Sequence, residues 1–543
     1  MGTDDWLWWK HGVLYQIYPR SFADGNGDGI GDLQGLVQKL DYLQELGVDG
    51  LWLSPIHPSP MKDFGYDISN YHDIDPVFGD IDLFKQFVEE AHQRNLRIIM
   101  DMVFNHTSDQ HPWFQESRSS HKNPKRDWYI WHPGKKGKLP NNWRGAFGGP
   151  AWTWDEKTQE YYLHLFLPEQ PDVNWRNPEV RDALFGVLNH WMELGVDGFR
   201  FDVINYIVKD EQFRNNPYRW HLGVPRRHDQ QDHRFDRCQP ESHTFLKEMR
   251  KVLDAYPQRM SVGEVFPNEG RIDQKASAAY LGDGSDELHM VFDFSANFAP
   301  FKASAFAKIL KGQYASIPPH GWPVHVFSNH DQSRMPTRLA GGNEHKTKLL
   351  LTLLLSQRGT PFLYYGDELG MVDGKVPRNQ MHDPVGLKYW PLYPGRDRSR
   401  TPMPWDSSPH AGFSSTQPWL PLHPAHRHQS VAIQEHQENS ILSHTKLLIQ
   451  LRRQRSSLNR GDWTLLTSSH DVLAYKRTYQ GEQTLVFLNF SKQRKMCTAL
   501  QELENSETWI ILYSSLPERT SISLTQRQGF LDSYEALLLG RDP

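Results

Sequence analysis

Eight short apolar segments recur along the chain, each followed by a polar loop and then a helix-like segment. Continuous runs of this length, rich in Val, Ile, Leu and aromatic residues, are typical of parallel strands buried on both faces. Eight strand–helix units in one chain predict an α/β fold, specifically a (β/α)8 TIM barrel. The segments are 12–19, 48–55, 96–106, 196–204, 259–266, 289–295, 324–331 and 360–368.

Two regions interrupt this rhythm. Residues 107–174 follow the third strand, are rich in Trp, Pro, Gly and Lys, and predict a small irregular inserted domain. In 466–543 the pattern changes to short or alternating apolar strands with turns between them, which predicts an antiparallel β domain. The barrel therefore comprises 1–106 and 175–465.

Charge and cysteine content exclude several classes of function. The 60 basic and 65 acidic residues give a net charge of −5, so there is no electrostatic basis for binding nucleic acid or an anionic membrane. The two cysteines, Cys238 and Cys497, lie far apart and do not form a disulfide framework or a metal-ligand pattern. The start of the chain lacks a signal-peptide pattern and no apolar run is long enough to span a membrane, so we expect a cytoplasmic protein.

Polar residues cluster at the carboxyl ends of the predicted strands, where barrel enzymes place their active sites. A single Asp at such a position commonly caps the following helix. Three carboxylates with an arginine and two histidines at one rim are costly to bury unless they have a function. The three carboxylates are Asp202, Glu264 and Asp331. The whole set of polar residues at these strand ends is Asp101, Asn105, His106, Arg200, Asp202, Glu264, His330 and Asp331.

Paired carboxylates without a thiolate or a His-rich cluster are typical of glycoside hydrolysis, in which one carboxylate attacks the sugar and the other donates a proton. Arg200 lies two residues before Asp202 and points to the same face of its strand. We expect its guanidinium to keep Asp202 ionised as the nucleophile. Glu264, in the apolar segment "SVGEVF", is then the predicted acid. The 12% aromatic content suits sugar faces, although filling a large core explains it equally well.

Four segments, "DMVFNH", "GFRFDVI", "GEVF" and "FSNHD", resemble in this order the signature regions of the α-amylase family, glycoside hydrolase family 13. "QPDVN" resembles the further signature of its oligo-1,6-glucosidase and α-glucosidase branch, and "RTPMPWD" is similar to bacterial α-glucosidases of that branch. The resemblance covers nearly the whole chain and is weakest after 466. It implies a retaining α-glucosidase that acts on small oligosaccharides or disaccharides.

The resemblance also implies individual roles. Asp331 matches the third carboxylate, which binds hydroxyls and favours distortion of the sugar. His106 and His330 match histidines that bond the same glucose ring, and Tyr66 matches its stacking platform. Asp63 and Arg400 match the two family residues that close the pocket over the non-reducing end of the substrate. A pocket closed in this way makes the enzyme exo-acting.

The resemblance implies that Val203, directly after the predicted nucleophile, influences which glycosidic linkage is cleaved. In this branch of the family, valine at the matching position accompanies cleavage of α-1,6 bonds. The alternative is that Val203 is an ordinary strand residue without effect on the linkage that is cleaved. Two departures from the branch pattern weigh against a strict α-1,6 preference, Val173 in place of the usual Leu and Pro404 where Gln is common. One apolar contact at such a site is worth about 1–3 kcal/mol, enough to bias the choice of linkage.

Two other functions compete with the prediction of a hydrolase. A transglucosylase or sucrose isomerase uses the same catalytic residues, but a second sugar replaces water as the acceptor. A binding protein or transporter subunit of the family would lack the catalytic carboxylates, which this chain keeps.

The His- and Arg-rich stretch 211–245 is expected to flank the pocket as a solvated loop, because its spacing matches no metal site. The sequence does not indicate an oligomeric state.

The stretch "DGNGDGIGD" follows the first strand and has the oxygen ligands of the first half of an EF-hand loop. The terminal Glu of such a loop is absent, and no matched helix pair appears, so a calcium sensor is not expected. Resemblance to oligo-1,6-glucosidases, which bind a cation here, implies a structural Ca²⁺ site; the alternative is a metal-free Gly-rich turn. The implied ligands are Asp24, Asn26, Asp28, the carbonyl of Ile30, and Asp32.

Overall fold

A computed structural model describes residues 6–219, 226–266, 273–501, 509–516 and 529–543. Eight strands form one parallel sheet, in the order β10-β11-β1-β2-β3-β7-β8-β9. This arrangement confirms the TIM barrel that the apolar segments predict. The strands are β1 (Leu14–Ile17), β2 (Gly50–Leu53), β3 (Arg97–Met102), β7 (Gly198–Phe201), β8 (Met260–Gly263), β9 (Met290–Val291), β10 (Val324–Val326) and β11 (Thr360–Tyr364).

The parallel register brings distant segments together at one end of the barrel. β3 and β7 are hydrogen-bonded neighbours although the insertion separates them in sequence, and Asp101 pairs in register with Arg200. β7 pairs in turn with β8, placing Phe201 opposite Gly263. The residues that follow these strands therefore emerge side by side at the carboxyl face.

Helices cover the outside of the barrel and form its connections. α4 illustrates why they fold: the Asp80 side chain accepts from two backbone amides at the N-terminus. Phe84, Phe87, Val88 and Ala91 then form one buried stripe at helical spacing. The helices of eight or more residues are α4 (Ile81–Gln93), α6 (Pro178–Glu193), α7 (Glu241–Asp254), α9 (Ala303–Ser316), α11 (Glu344–Ser356) and α14 (Ile441–Gln454).

Shorter helices complete the connections. They are α1 (Trp8–His11), α2 (Leu33–Gln38), α3 (Leu40–Leu46), α5 (Pro112–Ser117), α8 (Gln274–Ala278), α10 (Met335–Arg338), α12 (Pro384–Tyr389), α13 (Val431–Glu435), α15 (Ser456–Asn459) and α16 (Thr498–Gln501). Within the described ranges no helix combines the length and the apolar character needed to cross a membrane.

The insertion after β3 contains a small antiparallel sheet in the order β4-β6-β5, formed by β4 (Trp131–His132), β5 (Trp152–Asp155) and β6 (Glu160–Leu163). An isolated bridge between His106 and Asp172 fastens the two ends of the segment to each other, and a second bridge joins Tyr129 to Val173. His106 lies four residues after the end of β3, so the first bridge holds the insertion near the carboxyl end of that strand.

Antiparallel pairing dominates the carboxyl-terminal part of the chain. Its five-stranded sheet has the order β12-β13-β14-β18-β16, and a two-stranded sheet joins β15 to β17. Tyr475 on β13 shares a hydrogen bond of 2.5 Å with Ser356, so the sheet packs on barrel helix α11. The strands are β12 (Asp462–Ser468), β13 (Val472–Tyr479), β14 (Glu482–Asn489), β15 (Lys495–Met496), β16 (Ile510–Ser514), β17 (Phe530–Leu531) and β18 (Ala536–Arg541). The domain boundaries in the chain stay predictions.

Candidate active site

Three carboxylates lie at the carboxyl ends of separate barrel strands. Asp202 directly follows β7, Glu264 follows β8, and Asp331 lies five residues after the end of β10. The Asp202 amide donates to Met102 O over 3.0 Å, and the Glu264 amide donates to Phe201 O over 2.9 Å. Each of these two residues is therefore held by the neighbouring strand, and the rigid barrel fixes where its side chain begins.

The Arg200 guanidinium joins the carboxylates. Its Nη1 donates to Asp101 Oδ1 over 2.7 Å and to Asp202 Oδ1 over 2.9 Å. Its Nη2 donates to Glu264 Oε2 over 2.5 Å. The sequence predicts that Arg200 contacts Asp202, and the structure shows that contact. The planar fork also reaches Glu264, so one guanidinium contacts both carboxylates at once.

Burial dominates the electrostatics of this group. It raises the pKa of Asp202 well above its usual range, with Arg200 opposing and Glu264 reinforcing the shift. Burial also raises the pKa of Glu264, again against Arg200, and it raises the pKa of Asp101. Three carboxylates share one guanidinium, so the cluster readily holds a proton. A retained proton is what an acid catalyst needs near neutral pH.

Tyr66 and His330 form a stacked pair beside the carboxylates, with ring centroids 5.4 Å apart and an interplanar angle of 4°. The Tyr66 hydroxyl donates to Asp101 Oδ2 over 3.0 Å, so it accepts from His330 Nε2 over 2.7 Å. His330 Nδ1 then accepts from Gln16 Nε2 over 2.7 Å. These bonds orient the imidazole so that its Nε2–H also faces Asp331 Oδ2 at 3.0 Å.

His106 lies on the insertion side of the same pocket. Its Nε2 is 3.0 Å from Tyr66 O and 3.1 Å from Gln170 Nε2, and Gln170 also donates to Asp63 Oδ2 over 3.3 Å. Burial lowers the pKa of His106 to about 3, so its imidazole is neutral at physiological pH. A neutral imidazole at this depth can bond a sugar hydroxyl without adding charge.

The partner of Asp63 is Arg396 and not Arg400, which corrects the expected pairing. Arg396 Nη2 donates to Asp63 Oδ1 over 2.8 Å, and Arg400 Nη2 donates to Asp331 Oδ1 over 2.8 Å. Arg396 Nη1 also donates to Asp331 Oδ1 over 3.2 Å. The two arginines are separated by one 3-10 turn, Asp397–Ser399, so both reach the same wall from adjacent positions.

The same two arginines set the charge of Asp331. Burial raises the pKa of this carboxyl, but His330, Arg396 and Arg400 outweigh burial and hold its pKa well below the usual range. Asp331 is therefore ionised while the Asp202 and Glu264 pair tends to keep a proton. The pocket thus separates one permanently charged carboxylate from two that can exchange a proton.

Aromatic rings line the insertion side. The ring centroids of His106 and Phe166 lie 5.1 Å apart, and those of Phe166 and Phe147 lie 5.9 Å apart. The Arg396 guanidinium carbon lies 5.1 Å from the centroid of the Phe147 ring. Sequence reasoning missed Arg396, Phe147, Phe166 and Gln170. Only Gln170 and Arg396 carried a signal, as the first residue of "QPDVN" and as an arginine four positions before Arg400.

Val203 has an unusual backbone for a β-branched residue, with φ 35° and ψ 45° in the left-handed region. Its side chain packs in an apolar cluster with residues of the insertion, including Trp143, Trp152 and Leu165. The residue therefore links the turn after Asp202 to the insertion. The prediction of an effect on linkage stays untested.

The acidic loop has an oxygen-only donor set. Asp24 accepts from Gly27 N and Gly29 N, and Asp32 accepts from Gly25 N, Asn26 N and Gly35 N. Asn26 and Asp28 accept from backbone amides two residues further along. Across the described ranges no three Asp, Glu, His or Cys side chains converge as a metal cluster. Carboxylate oxygens retain lone pairs beside such bonds, so the donor chemistry fits Ca²⁺.

The stretch 211–245 is more buried than expected for a solvated loop, as far as the structure describes it. His233 and Asp236 bond over 2.6 Å, and the His228 ring lies 4.2 Å from the His233 ring. Gln231 Nε2 donates to Asn142 O over 2.8 Å, so the stretch packs against the insertion. A further bond within the segment, from His233 Nε2 to His228 O over 3.0 Å, holds the second nitrogen of the His233 ring. Residues 220–225 lie outside the described part.

Comparison with known proteins agrees with this geometry. Residues 16–461 match the family model described as alpha amylase, catalytic domain. The chain is 42% identical over 503 residues to a probable alpha-glucosidase of Rhizobium meliloti (strain 1021), covering 90% of each chain. It is 40% identical over 526 residues to an oligo-1,6-glucosidase of Parageobacillus thermoglucosidasius, covering 90% of this chain and 91% of the relative.

A solved structure extends the similarity to the whole fold. The crystal structure of the alpha-glucosyl transfer enzyme XgtA superposes with a TM-score of 0.91 at 36% identity, covering 99% of this chain and 100% of that one. The chain thus resembles these three proteins both in sequence and in three-dimensional structure. The chain belongs to the alpha-amylase family and is a glycoside hydrolase.

Proposed function

We propose that this protein is an exo-acting, retaining α-glucosidase that removes terminal α-linked glucose from short oligosaccharides or disaccharides. The observation that carries the proposal is the link from buried Asp63 through Arg396 to Asp331 beside the paired carboxylates. Such a link closes one end of the pocket. A closed end accepts the last sugar of a chain, whereas an open cleft would accept internal positions.

In the proposed first step, Asp202 attacks the anomeric carbon while Glu264 donates a proton to the leaving oxygen. The C–O bond to the leaving group breaks and a glucosyl–Asp202 ester forms. In the second step Glu264 removes a proton from water, which attacks the same carbon and returns the electron pair to Asp202. The product keeps the α configuration. Because Arg200 contacts both carboxylates, their roles rest on their positions in the family motifs.

Sugar binding is proposed for the residues around this pair. Tyr66 offers its ring face to the glucose, and His106 and His330 bond its hydroxyls. Arg200 keeps the carboxylates in place, Asp331 binds hydroxyls and favours distortion of the ring, and Arg400 holds Asp331. A preference for α-1,6 bonds is proposed for Val203, whose side chain lies between the turn after Asp202 and the insertion.

A second outcome uses the same intermediate. A sugar hydroxyl that replaces water would make the protein an α-glucosyl transferase or a sucrose isomerase. The similarity to a solved alpha-glucosyl transfer enzyme supports some transfer activity. We propose hydrolysis as the main reaction, with transfer at high sugar concentration.

A structural Ca²⁺ bound by Asp24, Asn26, Asp28, Asp32 and the Ile30 carbonyl is part of the proposal. The ion would neutralise the carboxylates of the first βα loop and would take no part in bond cleavage. The Asp24 carboxylate also accepts from Ser414 Oγ over 2.5 Å, so the loop holds a segment distant in sequence. A cytoplasmic location is likewise a proposal from the sequence alone.

The experiment compares turnover of maltose, isomaltose, kojibiose, nigerose, trehalose and sucrose by the purified protein, with the first anomer followed by NMR. We expect α-glucose as the first product and faster turnover of isomaltose than of maltose. β-Glucose as the first product would contradict the proposal, and so would release of oligosaccharides from the internal bonds of maltopentaose in a parallel assay. Predominant transfer or sucrose isomers would favour the second outcome. Asp202→Ala should abolish turnover of every substrate.

A further inference from the structure

A cleft of about 520 Å³ opens at the amino-terminal face of the barrel, and we call it the amino-face cleft. The residues around it precede or begin barrel strands: Trp8 precedes β1, Asp49 precedes β2, Arg97 begins β3 and Gln258 precedes β8. The three carboxylates of the candidate active site follow their strands and so lie at the opposite end of the barrel. Small-molecule sites commonly enclose about 300–1,000 Å³, so the cleft has the volume of a binding site.

Three arginines line the cleft, and each is paired with a carboxylate. The pairs are Arg94 with Asp41 at 2.7 Å, Arg97 with Asp197 at 3.3 Å, and Arg453 with Asp49 at 2.7 Å. These pairs balance the positive charge of the wall, so it does not favour an anion such as phosphate. A guanidinium has five N–H donors, and each arginine therefore keeps donors beyond its ion pair. Those donors suit the oxygen atoms of a neutral ligand.

Three side-chain amides also line the cleft. They belong to Gln44, Asn95 and Gln258, which are exposed to solvent. An amide group offers both a donor and an acceptor, as a sugar hydroxyl does, so hydrogen bonds between them can form in either direction. The cleft is therefore suited to a ligand that carries several hydroxyl groups.

Two indole rings form the apolar part of the cleft. Trp8 is buried, and its Nε1 donates to Gln258 O over 3.1 Å, so it holds the backbone that carries Gln258. Trp6 is half-buried, and its ring centroid lies 5.5 Å from that of His11. His11 Nδ1 accepts from Leu7 N over 3.1 Å, which fixes the imidazole beside Trp6. A partly exposed indole offers a flat apolar face on which the C–H face of a sugar ring can pack.

We propose that the amino-face cleft is a second, non-catalytic binding site for a neutral saccharide such as a short glucose oligomer. Trp6 stacks on one sugar ring, while the exposed amides and the paired arginines bond its hydroxyls. Barrel enzymes carry out their reactions at the carboxyl ends of the strands, so a saccharide in the cleft is held and not cleaved. The inference does not rest on the proposed function, because it requires neither the carboxylates nor the glucosyl ester.

Equilibrium dialysis with radiolabelled maltotriose tests the proposal by counting bound molecules per chain, in an Asp202→Ala parent that does not hydrolyse the probe. We expect Trp6→Ala in this parent to weaken one site by about tenfold or more, so that one molecule fewer is bound per chain at the same probe concentration. With the active-site residues intact, Trp6→Ala should change kcat/KM for isomaltose by less than about twofold, because the cleft and the carboxylates lie at opposite ends of the barrel.

A second variant removes two amides and leaves the buried core unchanged. Asn95 and Gln258 have φ 59° and φ 56°, in the left-handed region that favours glycine. Asn95→Gly/Gln258→Gly therefore keeps the backbone, and it should likewise bind one maltotriose fewer. The matched control is Gln159→Gly/Gln480→Gly, which changes two exposed glutamines outside the cleft with φ 55° and φ 46°.

The control for Trp6→Ala is Trp154→Ala, on β5 and 37% exposed. Both controls should bind as many maltotriose molecules as the Asp202→Ala parent. Equal binding by the parent and by both cleft variants would overturn the proposal. So would displacement of the cleft-bound maltotriose by inorganic phosphate at constant ionic strength, which would assign the cleft to an anion. Failure of the proposed function is a separate result, because it appears as absence of glucose release by the wild-type protein from every α-glucosyl donor.

Discussion

Arg396 Nη2 lies 2.8 Å from Asp63 Oδ1, although 333 positions separate the two residues. The guanidinium also donates to Asp383 Oδ1 and to Asp331 Oδ1. One side chain therefore joins three carboxylates from separate parts of the chain. Because this buried arginine has three carboxylate partners, we expect catalytic activity to fall when the shape of its side chain changes, even if the charge is kept.

Arg396→Lys tests this relationship. Lysine keeps the charge but cannot form the planar fork, so we expect kcat/KM for a disaccharide to fall about 10–100-fold, mainly through KM. The control is Arg398→Lys, the same substitution two residues away, whose side chain is one-third exposed and contacts Asp373 at 3.4 Å. Equal losses in both variants would show that the effect comes from the segment and not from the Asp63 contact.

The roles of Asp202 and Glu264 can be separated by azide rescue with an activated aryl α-glucoside. Glu264→Ala still forms the glucosyl–Asp202 ester, and azide needs no base, so we expect fast formation of the α-glucosyl azide. Asp202→Gly lacks the nucleophile, so azide attacks from the opposite face and gives the β-glucosyl azide. The azide anomer is read by NMR. The opposite pairing of variant and anomer would exchange the two roles.

Val203→Thr tests linkage preference. Threonine keeps the β-branched shape and replaces one methyl group with a hydroxyl. We expect the ratio of kcat/KM for isomaltose over maltose to fall about tenfold, which corresponds to about 1.4 kcal/mol. Val208→Thr, a buried substitution of the same kind, controls for nonspecific destabilisation. An unchanged ratio in both variants would favour an ordinary structural role for Val203.

Glu368 makes stability depend on pH. Its Oε1 accepts from Tyr15 OH over 2.6 Å and from Tyr42 OH over 2.8 Å, and burial raises its pKa to about 7 despite these bonds. A raised pKa means that the folded state holds the proton more tightly. The associated stability is therefore fully present below the unfolded-state pKa and is lost as the pH rises through about 7.

Glu368→Gln removes that dependence. Relative to wild type, we expect the variant to gain up to about 3 kcal/mol in unfolding free energy between pH 4.5 and pH 8. Chemical denaturation at several pH values measures the difference. Glu435→Gln, at an exposed glutamate on α13, should follow the wild-type profile. A variant profile parallel to wild type would contradict the assignment of the proton to Glu368.

Removal of divalent cations tests the acidic loop. If Ca²⁺ binds the folded loop only, a chelator should lower Tm, and the loss should grow with the calcium concentration of the reference sample. Turnover below the new Tm should change little, because the loop is separate from the carboxylates. Asp28→Asn should weaken the chelator effect. Strict dependence of turnover on calcium at constant Tm would contradict a structural role.

The amino-acid pattern alone determined the barrel and the residues of the catalytic face. Buried parallel strands demand continuous apolar runs, and the carboxyl ends of such strands must meet at one edge. Asp202, Glu264 and Asp331 could therefore be placed together without coordinates. The position of the insertion followed in the same way, from the loss of periodicity after the third strand.

Only the tertiary structure decided which side chains pair. Arg396 and Arg400 lie four residues apart and both face the pocket wall, so local sequence cannot tell which one reaches Asp63. Local pattern is equally blind to the contact of Arg200 with both catalytic carboxylates, the left-handed backbone at Val203, and the contact of Lys388 with Gly148 O. Each depends on the approach of segments far apart in the chain, and that approach is set by packing of the whole fold.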